Sequence, residues 1–230
     1  MKGMNGTLKI VSWNCAGKFR EKYKIAKELD ADIYVIQECE DPQKVNNKGY
    51  ATFADNYLWC GENKNKGLGI FANRNIFIED NDWKSHYLRY FISAKINEDF
   101  NLLGAWACKP YIEEYCVFQS IHYSKFNEDM IIIGDFNSNK KWDKKRSSRG
   151  HSHVVSRLRD KGLISAYHYK RKDNHGEESI NTFYMHRDPS KGYHIDYAFL
   201  NKDRIKGFNL LNDAIWLNYS DHVPIVLEVD

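Results

Sequence analysis

Short apolar runs alternate with polar residues along most of this chain, and this period of two predicts many β-strands. Three segments instead repeat their apolar residues at helical spacing, at 17–29, 111–126 and 151–161. The polar segments 41–56 and 139–150 predict an irregular stretch and a basic loop. Strands are predicted at 8–13, 32–36, 57–60, 68–72, 76–78, 90–96, 102–107, 130–134, 165–169, 180–184, 193–200, 205–211 and 222–229.

About a dozen strands with three helices predict two packed sheets that are covered by helices. No repeat, low-complexity linker or shift in composition divides the 230 residues. We therefore expect one domain over residues 1–230, with a flexible segment at 1–7. The hydrophobic content of 42% is sufficient for a substantial core.

Residues 131–137 have the sequence Ile-Ile-Ile-Gly-Asp-Phe-Asn. Three branched apolar residues predict a buried strand, and Gly134 lets the backbone turn closely. Asp135 and Asn137 then place an acid and an amide at the end of that strand. Turn chemistry alone explains such an ending equally well, so this stretch becomes informative only because other strands end in the same way.

Polar side chains also lie at the ends or within the last runs of other predicted strands. They are Asn14, Glu38, Asp196, Asp221 and His222. Strand alternation predicts that Asp196 shares a face with His194, which would bring a second histidine towards the site. Carboxylate and amide oxygens suit a hard divalent ion such as Mg²⁺ or Mn²⁺, and clustered acids without a cation would resist ionisation.

Five motifs, in this order, resemble those of the endonuclease/exonuclease/phosphatase superfamily. They are Trp13-Asn14, Gln37-Glu38, Gly134-Asp135-Phe136-Asn137, Ile195-Asp196-Tyr197 and Ser220-Asp221-His222. The resemblance covers residues 8–229, and the superfamily includes apurinic/apyrimidinic endonucleases, deoxyribonucleases, sphingomyelinases and inositol polyphosphate phosphatases. It implies an α/β fold of the four-layer α/β/β/α sandwich type, with two mainly antiparallel or mixed sheets packed face to face.

The resemblance also implies roles for the strand-end residues. Glu38 would be the principal ligand of Mg²⁺ or Mn²⁺, with Asn14 and Asp221 on the metal side of the site. The catalytic side would contain Asp135, Asn137, His222 and Asp196. Asp135 would orient or deprotonate the attacking water, while His222, held by Asp196, would donate to a phosphate oxygen or act as the base. The sequence leaves open which of the two takes the proton.

Trp106 departs from the superfamily pattern, in which a His or Tyr often ends the corresponding strand. The second phosphate contact and the acid for the leaving group are therefore in question. Lys109 or Tyr111, just beyond this strand, is a candidate substitute, and Tyr111→Phe would then slow turnover.

The loop at 139–150 carries the most conspicuous run of positive charge. Its cations are Lys140, Lys141, Lys144, Lys145, Arg146 and Arg149, with Trp142 among them. A solvated loop is one interpretation, and contact with a nucleic-acid backbone and a stacked base is the other. His151 and His153 flank Ser152 at a predicted helix start, where capping or a phosphate contact explains them.

Composition and charge exclude little else. A net charge of +3 permits a polyanionic partner without requiring one. The five cysteines form no C-x-x-C pair, residues 1–7 contain no apolar segment that would predict a signal peptide, and no apolar run reaches 18 residues. We expect a cytoplasmic monomer with reduced thiols, no membrane contact and no obligatory protein partner.

Three functions remain open at this point. The first is a Mg²⁺- or Mn²⁺-dependent phosphodiesterase, specifically a nuclease acting on DNA. The second is the same chemistry on RNA, a phosphorylated sugar or inositol, or a lipid headgroup, because a fold does not determine a substrate. The third is a relative that binds nucleic acid without catalysis, against which the complete set of site residues argues.

Overall fold

The computed structural model describes residues 6–144 and 148–230, which contain fourteen strands and five α-helices. The strands are β1 (Leu8–Asn14), β2 (Ile33–Cys39), β3 (Tyr57–Asn63), β4 (Lys66–Ala72), β5 (Ile78–Asp80), β6 (Phe91–Ile96), β7 (Phe100–Trp106), β8 (Met130–Asp135), β9 (Ile164–Ser165), β10 (Phe183–Tyr184), β11 (Gly192–Tyr193), β12 (Asp196–Leu200), β13 (Ile205–Leu210) and β14 (Ile225–Val229). The helices are α1 (Phe19–Lys27), α2 (Lys48–Phe53), α3 (Ile112–Ile121), α4 (His151–Arg159) and α5 (Ala166–Arg171).

Two six-stranded sheets form the centre of the fold. The first has the strand order β13-β14-β1-β2-β4-β3, and the second has the order β5-β6-β7-β8-β12-β9. Each sheet is mixed, because β1–β2 and β7–β8 are parallel pairs while the other pairs are antiparallel. The predicted α/β sandwich of two sheets is confirmed. Among the described residues, no helix has the length and apolarity needed to cross a bilayer.

Strand alternation sorts the core into three apolar layers. Ile131 and Ile133 of β8 face the other sheet, whereas Ile132 faces the outer helices. Residues of α3 and α4 pack on the second sheet, and residues of α1 and α2 pack on the first. Each isoleucine of β8 is fully buried, which contributes about 2 kcal/mol per side chain. The result is the expected helix–sheet–sheet–helix order.

Two predicted segments take a different local structure. The predicted strand 165–169 is wrong, because only Ile164–Ser165 is extended and the chain then forms α5. Ala166 and Tyr167 are adjacent and both buried. A helix can bury two adjacent residues, whereas a strand with one face in solvent would expose one of them. The irregular stretch 41–56 contains α2, whose first turn is capped by the Asn47 side chain accepting a hydrogen bond from the Tyr50 amide.

The predicted strand 193–200 is interrupted. Tyr193 ends a two-stranded ribbon that β11 forms with β10, and Asp196 begins β12 in the second sheet. His194 and Ile195 lie between the two strands, so the alternation that linked His194 to Asp196 does not continue across them. The prediction that these two side chains share one face of a strand is wrong.

Candidate active site

The predicted site residues continue the rows of side chains that line the space between the sheets. Asp135 follows Ile131 and Ile133 on the inner face of β8, and Asp196 precedes Ala198 and Leu200 on that of β12. Asp135 and Asp196 are directly paired across the two strands. The core therefore ends in polar groups at one mouth of the sandwich.

Asp135 is completely buried, and three hydrogen bonds fix its carboxylate. The Asn14 side-chain amide donates to Oδ2 at 3.0 Å, and that of Asn137 donates to the same oxygen at 3.0 Å. The Asn137 backbone amide donates to Oδ1 at 2.8 Å. Gly134 is required just before it, because its φ is 152° and a Cβ there would collide with the carbonyl oxygen of Ala105.

His222 faces two carboxylates from opposite sides of its ring. Its Nδ1 lies 3.0 Å from Asp196 Oδ2, and its Nε2 lies 3.9 Å from Asp135 Oδ2. The Trp13 indole N–H donates to the His222 carbonyl at 3.0 Å, and the Ser220 hydroxyl accepts from the His222 amide at 3.0 Å. These contacts hold the ring with one nitrogen on Asp196 and the other directed at Asp135.

Burial and charge act in opposite directions on this pair. Burial raises the pKa of Asp135, with a further contribution from Asp196, while His222 opposes the rise. Burial also disfavours the charged form of His222, but Asp196 and Asp135 outweigh it and raise the His222 pKa. The imidazole therefore carries its proton at neutral pH, next to a carboxylate that holds hydrogen-bond donors on both oxygens.

Glu38 reaches the mouth through a β-bulge. The pairing of β2 with β4 shifts between Gln37 and Cys39, and Glu38 has a left-handed φ of 64°. Its carboxylate lies 3.0 Å from the ammonium of Lys66 and 3.5 Å from the Asn14 amide. Gln37 stays fully buried, whereas Glu38 at the bulge is partly exposed.

Residues 11–222 match the model of the Endonuclease/Exonuclease/phosphatase family. The chain belongs to this family. The predicted resemblance is confirmed, and the family is one of phosphoester hydrolases. No curated protein sequence matches the chain significantly.

Solved structures of similar fold include a 3′-5′ exonuclease from Neisseria meningitidis, which is 18% identical with a TM-score of 0.70 and covers 97% of this chain and 100% of that chain. The 3′ phosphatase NExo from Neisseria bound to product DNA hairpin is 17% identical with a TM-score of 0.67, covering 97% and 99%. The endonuclease domain of TRAS1, a telomere-specific non-LTR retrotransposon, is 18% identical with a TM-score of 0.67, covering 97% and 98%. At these identities the likeness concerns the fold.

Trp106, which was predicted to occupy the position of a family His or Tyr, is almost fully buried. Its ring stacks on Tyr90 with centroids 4.4 Å apart, and the Lys66 ammonium lies 5.4 Å above it. Lys109 and Tyr111 are exposed beyond the end of β7. Trp106 thus supports the cation that pairs with Glu38, and the two candidates for a substrate contact remain predictions.

The predicted phosphate contact at the start of α4 is not supported for His151. Its ring is buried, and the Asp143 carboxylate accepts hydrogen bonds from the backbone amides of His151 and Ser152 at 2.6 and 2.8 Å. Asp143 is therefore the group that caps this helix. His153 is partly exposed on the first turn, and its role stays a prediction.

The basic loop is described in part. Lys140, Lys141 and Lys144 are exposed, and Trp142 is half-exposed with its ring 5.1 Å from that of Tyr193. The candidates Lys145 and Arg146 lie outside the described residues.

Asp221 is partly exposed beside His222, with its Oδ1 3.4 Å from the Ser220 hydroxyl. Sequence reasoning missed two residues that shape the site. Thr182 accepts hydrogen bonds from the amides of Ile195 and Asp196, and Phe183 places its ring 4.8 Å from that of His222. No sequence signal distinguished them, because both lie in a stretch predicted as an ordinary strand.

Proposed function

We propose that this chain is a divalent-metal-dependent phosphodiesterase that cleaves nucleic acid, with DNA as its substrate. The observation that carries the proposal is the arrangement of Asp135 and His222, with each group held by its own partner. Asn14 and Asn137 orient the carboxylate, and Asp196 orients the imidazole. Hydrolysis of a phosphodiester needs a positioned water and charge stabilisation on the phosphoryl oxygens, and this arrangement offers a group for each.

The residues at the mouth fit a hard divalent cation. Their donors are carboxylate and amide oxygens, and the negative groups outnumber the positive ones. The carboxylates are Glu38, Asp135, Asp196 and Asp221, and the cations are His222 and Lys66. Glu38, with Asn14 and Asp221, would hold the ion. When bound, the ion supplies positive charge against the phosphoryl oxygens.

The raised pKa of His222 supports one division of roles between the two central groups. A protonated imidazole is a donor, so we assign His222 the hydrogen bond to a non-bridging phosphate oxygen. Ionised Asp135 is an acceptor only and can take a proton, so we assign it the orientation and deprotonation of the attacking water. The Asn137 side-chain amide donates to Asp135 and to the Ala107 carbonyl, which fixes the turn that follows Asp135.

Two observations support DNA as the substrate. The solved structures of similar fold include two of NExo from Neisseria, described as a 3′-5′ exonuclease and as a 3′ phosphatase bound to product DNA hairpin, and a retrotransposon endonuclease domain. In this chain, the aromatic pair Trp142–Tyr193 lies next to exposed lysines in a loop that begins four residues after Asp135. Cations beside exposed rings suit a sugar-phosphate backbone and stacked bases.

The test is a substrate panel with purified protein. It contains plasmid, abasic duplex, a duplex with a 3′-phosphate end, RNA and an aryl phosphodiester, each with Mg²⁺, Mn²⁺ or EDTA. We expect DNA cleavage that needs the metal and is lost in Asp135→Ala, while the exposed-surface variant Asp203→Ala keeps full activity. Cleavage of RNA or of the small ester alone would assign the alternative substrates, and hydrolysis of none would contradict the proposed activity.

A further inference from the structure

Four histidines and one glutamate lie together beside Ser138 and Asn139, which follow the Asp135–Asn137 turn. They lie outside the site described above. They are His151, His168, His175, His194 and Glu178. They come from α4, from α5, from the turn that follows α5 and from the gap between β11 and β12. Such a concentration of imidazoles around one carboxylate is not needed to hold a core together, where apolar side chains serve better.

We propose that His168, His175 and Glu178 form a second metal site, with His151 as the fourth ligand, and that it takes Zn²⁺. One ligand atom from each of the first three residues lies within 4.8 Å of the others. His168 Nε2 is 3.2 Å from Glu178 Oε1, and His151 Nε2 is 3.3 Å from His175 Nδ1. Three imidazoles and one carboxylate match the nitrogen and oxygen donors of tetrahedral zinc.

The atoms behind these groups are arranged as they are around known metal ligands. The second ring nitrogen of His168 lies 2.8 Å from the Ser165 hydroxyl, and that of His151 lies 3.3 Å from the Ser138 hydroxyl. Metal-binding histidines usually have such a partner on the outer nitrogen, which fixes the ring and its tautomer. The other oxygen of Glu178 accepts from the Asn139 amide at 3.0 Å.

Ring contacts within the cluster indicate how it would rearrange around an ion. The rings of His168 and His175 stack nearly parallel with centroids 3.5 Å apart, so one of them would have to rotate before a nitrogen of each could face the same ion. His151 and His175 direct one ring nitrogen each at the other, so one must act as donor and the other as acceptor. The Nε2 atom of buried His194 has no hydrogen-bond partner among the described residues.

Surface clefts give a metal access to the cluster. One is lined by Lys140, Ser152 and Arg159 and reaches His151 and His175. A second, lined by Asp173 and Asn174 among others, reaches His168 and His175. A ligand set with two openings can be loaded after folding.

The position of the cluster indicates what the metal would do. Ser138 and Asn139 directly follow the Asp135–Asn137 turn, and Asn139 also donates to the His194 carbonyl at 3.0 Å. The proposed site therefore ties together the two segments that carry Asp135 and Asp196. Its role is to hold these segments in place, so it differs from the oxygen-donor site that binds the catalytic ion.

The test measures zinc content and affinity in the full chain. Wild type is compared with His175→Gln, Glu178→Gln, the catalytic-site variant Glu38→Gln and the exposed-histidine control His186→Gln. Zinc is counted by mass spectrometry after dialysis, and its affinity is measured by competition with a chromogenic chelator. We expect one zinc per chain in wild type, Glu38→Gln and His186→Gln, and an affinity about 100-fold lower in the two cluster variants.

A second measurement needs no variant and is therefore independent of their folding. X-ray absorption at the zinc edge of the wild-type protein is expected to show imidazole scattering from three histidines. A wild type that binds no stoichiometric zinc would overturn the proposal. It would also be overturned by zinc that leaves with Glu38→Gln, or by cluster variants that keep wild-type affinity; the cluster would then be a hydrogen-bonded set of side chains only.

Discussion

Two polar clusters meet at the segment 135–139, and they have opposite compositions. The catalytic cluster places one histidine, His222, among carboxylates, whereas the neighbouring cluster places several histidines around the single carboxylate of Glu178. The same side chain consequently behaves in opposite ways. The pKa of His222 is raised by Asp196 and Asp135, while burial and neighbouring imidazoles lower that of His175.

If both proposed sites bind metal, ligand type would separate two metals within one small domain. Oxygen donors around Glu38 favour Mg²⁺ or Mn²⁺, and imidazoles favour Zn²⁺. If the two clusters are independent, a change in one will leave the metal of the other in place.

The largest expected effect separates the clusters by activity. Asp135→Asn keeps the shape of the side chain but removes the acceptor for the water proton, so we expect kcat to fall by about 10³-fold or more. The measurement is initial rate on the preferred substrate, with zinc counted in the same preparation. Unchanged zinc content is expected. An unchanged rate would remove Asp135 from the chemistry.

Glu178→Gln is expected to act on stability first. The amide places a second N–H group against Asn139 or His168, which costs about 1–3 kcal/mol in the free energy of unfolding. Denaturant unfolding with and without added zinc measures the effect. We expect zinc to stabilise wild type and not the variant, with a rate loss below tenfold. A rate loss equal to that of Asp135→Asn would mean that the clusters are one site.

The pH dependence of stability is expected to differ in sign between the clusters. The raised pKa of His222 favours the folded state at pH values below its unfolded pKa of 6.5, and this contribution is lost as the pH rises towards about 10. His151 and His175 have lowered pKa values, so their contribution is present above pH 6.5 and is lost as the pH falls towards 4.

Unfolding in EDTA between pH 5 and 9 tests this contrast. His222→Gln should flatten the alkaline side of the profile, and His175→Gln should flatten the acidic side, each by about 1–2 kcal/mol. Both variants flattening the same side would contradict the assigned charge states.

The smallest expected effect concerns substrate contact by the basic loop. Replacing Lys140, Lys141 and Lys144 together by Gln should weaken DNA binding by at least about tenfold and lower the slope of log affinity against log salt by about 3. Salt titration of DNA binding with the catalytically inactive Asp135→Asn protein measures both. Zinc content should not change, even though Lys140 lines a cleft to the histidine cluster. An unchanged slope would assign the loop to solvent.

The catalytic cluster was predictable because its members follow strongly apolar strands. Asp135 and Asn137 are visible from one heptapeptide, and the pairing of Asp196 with His222 follows once the family order is recognised. The β-bulge at Glu38 was not predictable from the sequence, because it depends on how β2 pairs with β4 and not on the residues next to Glu38.

The histidine cluster was not predictable for a different reason. His168 lies in a segment where a strand was predicted and α5 was found, and Glu178 lies in the loop between two predicted strands, so their spacing carried no periodic signal. His194 was assigned to the wrong face because the break between β11 and β12 depends on the pairing of Tyr193 with Phe183. Long-range pairing, which single-sequence patterns do not encode, decided both cases.

The ion pair between Lys66 and Glu38 has a consequence for how readily a cation could bind at Glu38. The Lys66 ammonium pairs with the Glu38 carboxylate and lies over the face of the Trp106 ring. A divalent ion binding at Glu38 would have to displace this ammonium, so it would need a higher concentration to reach the same occupancy than at an unpaired carboxylate. In the protein without a bound ion, the positive charge of Lys66 reduces the repulsion between Glu38 and the neighbouring carboxylates.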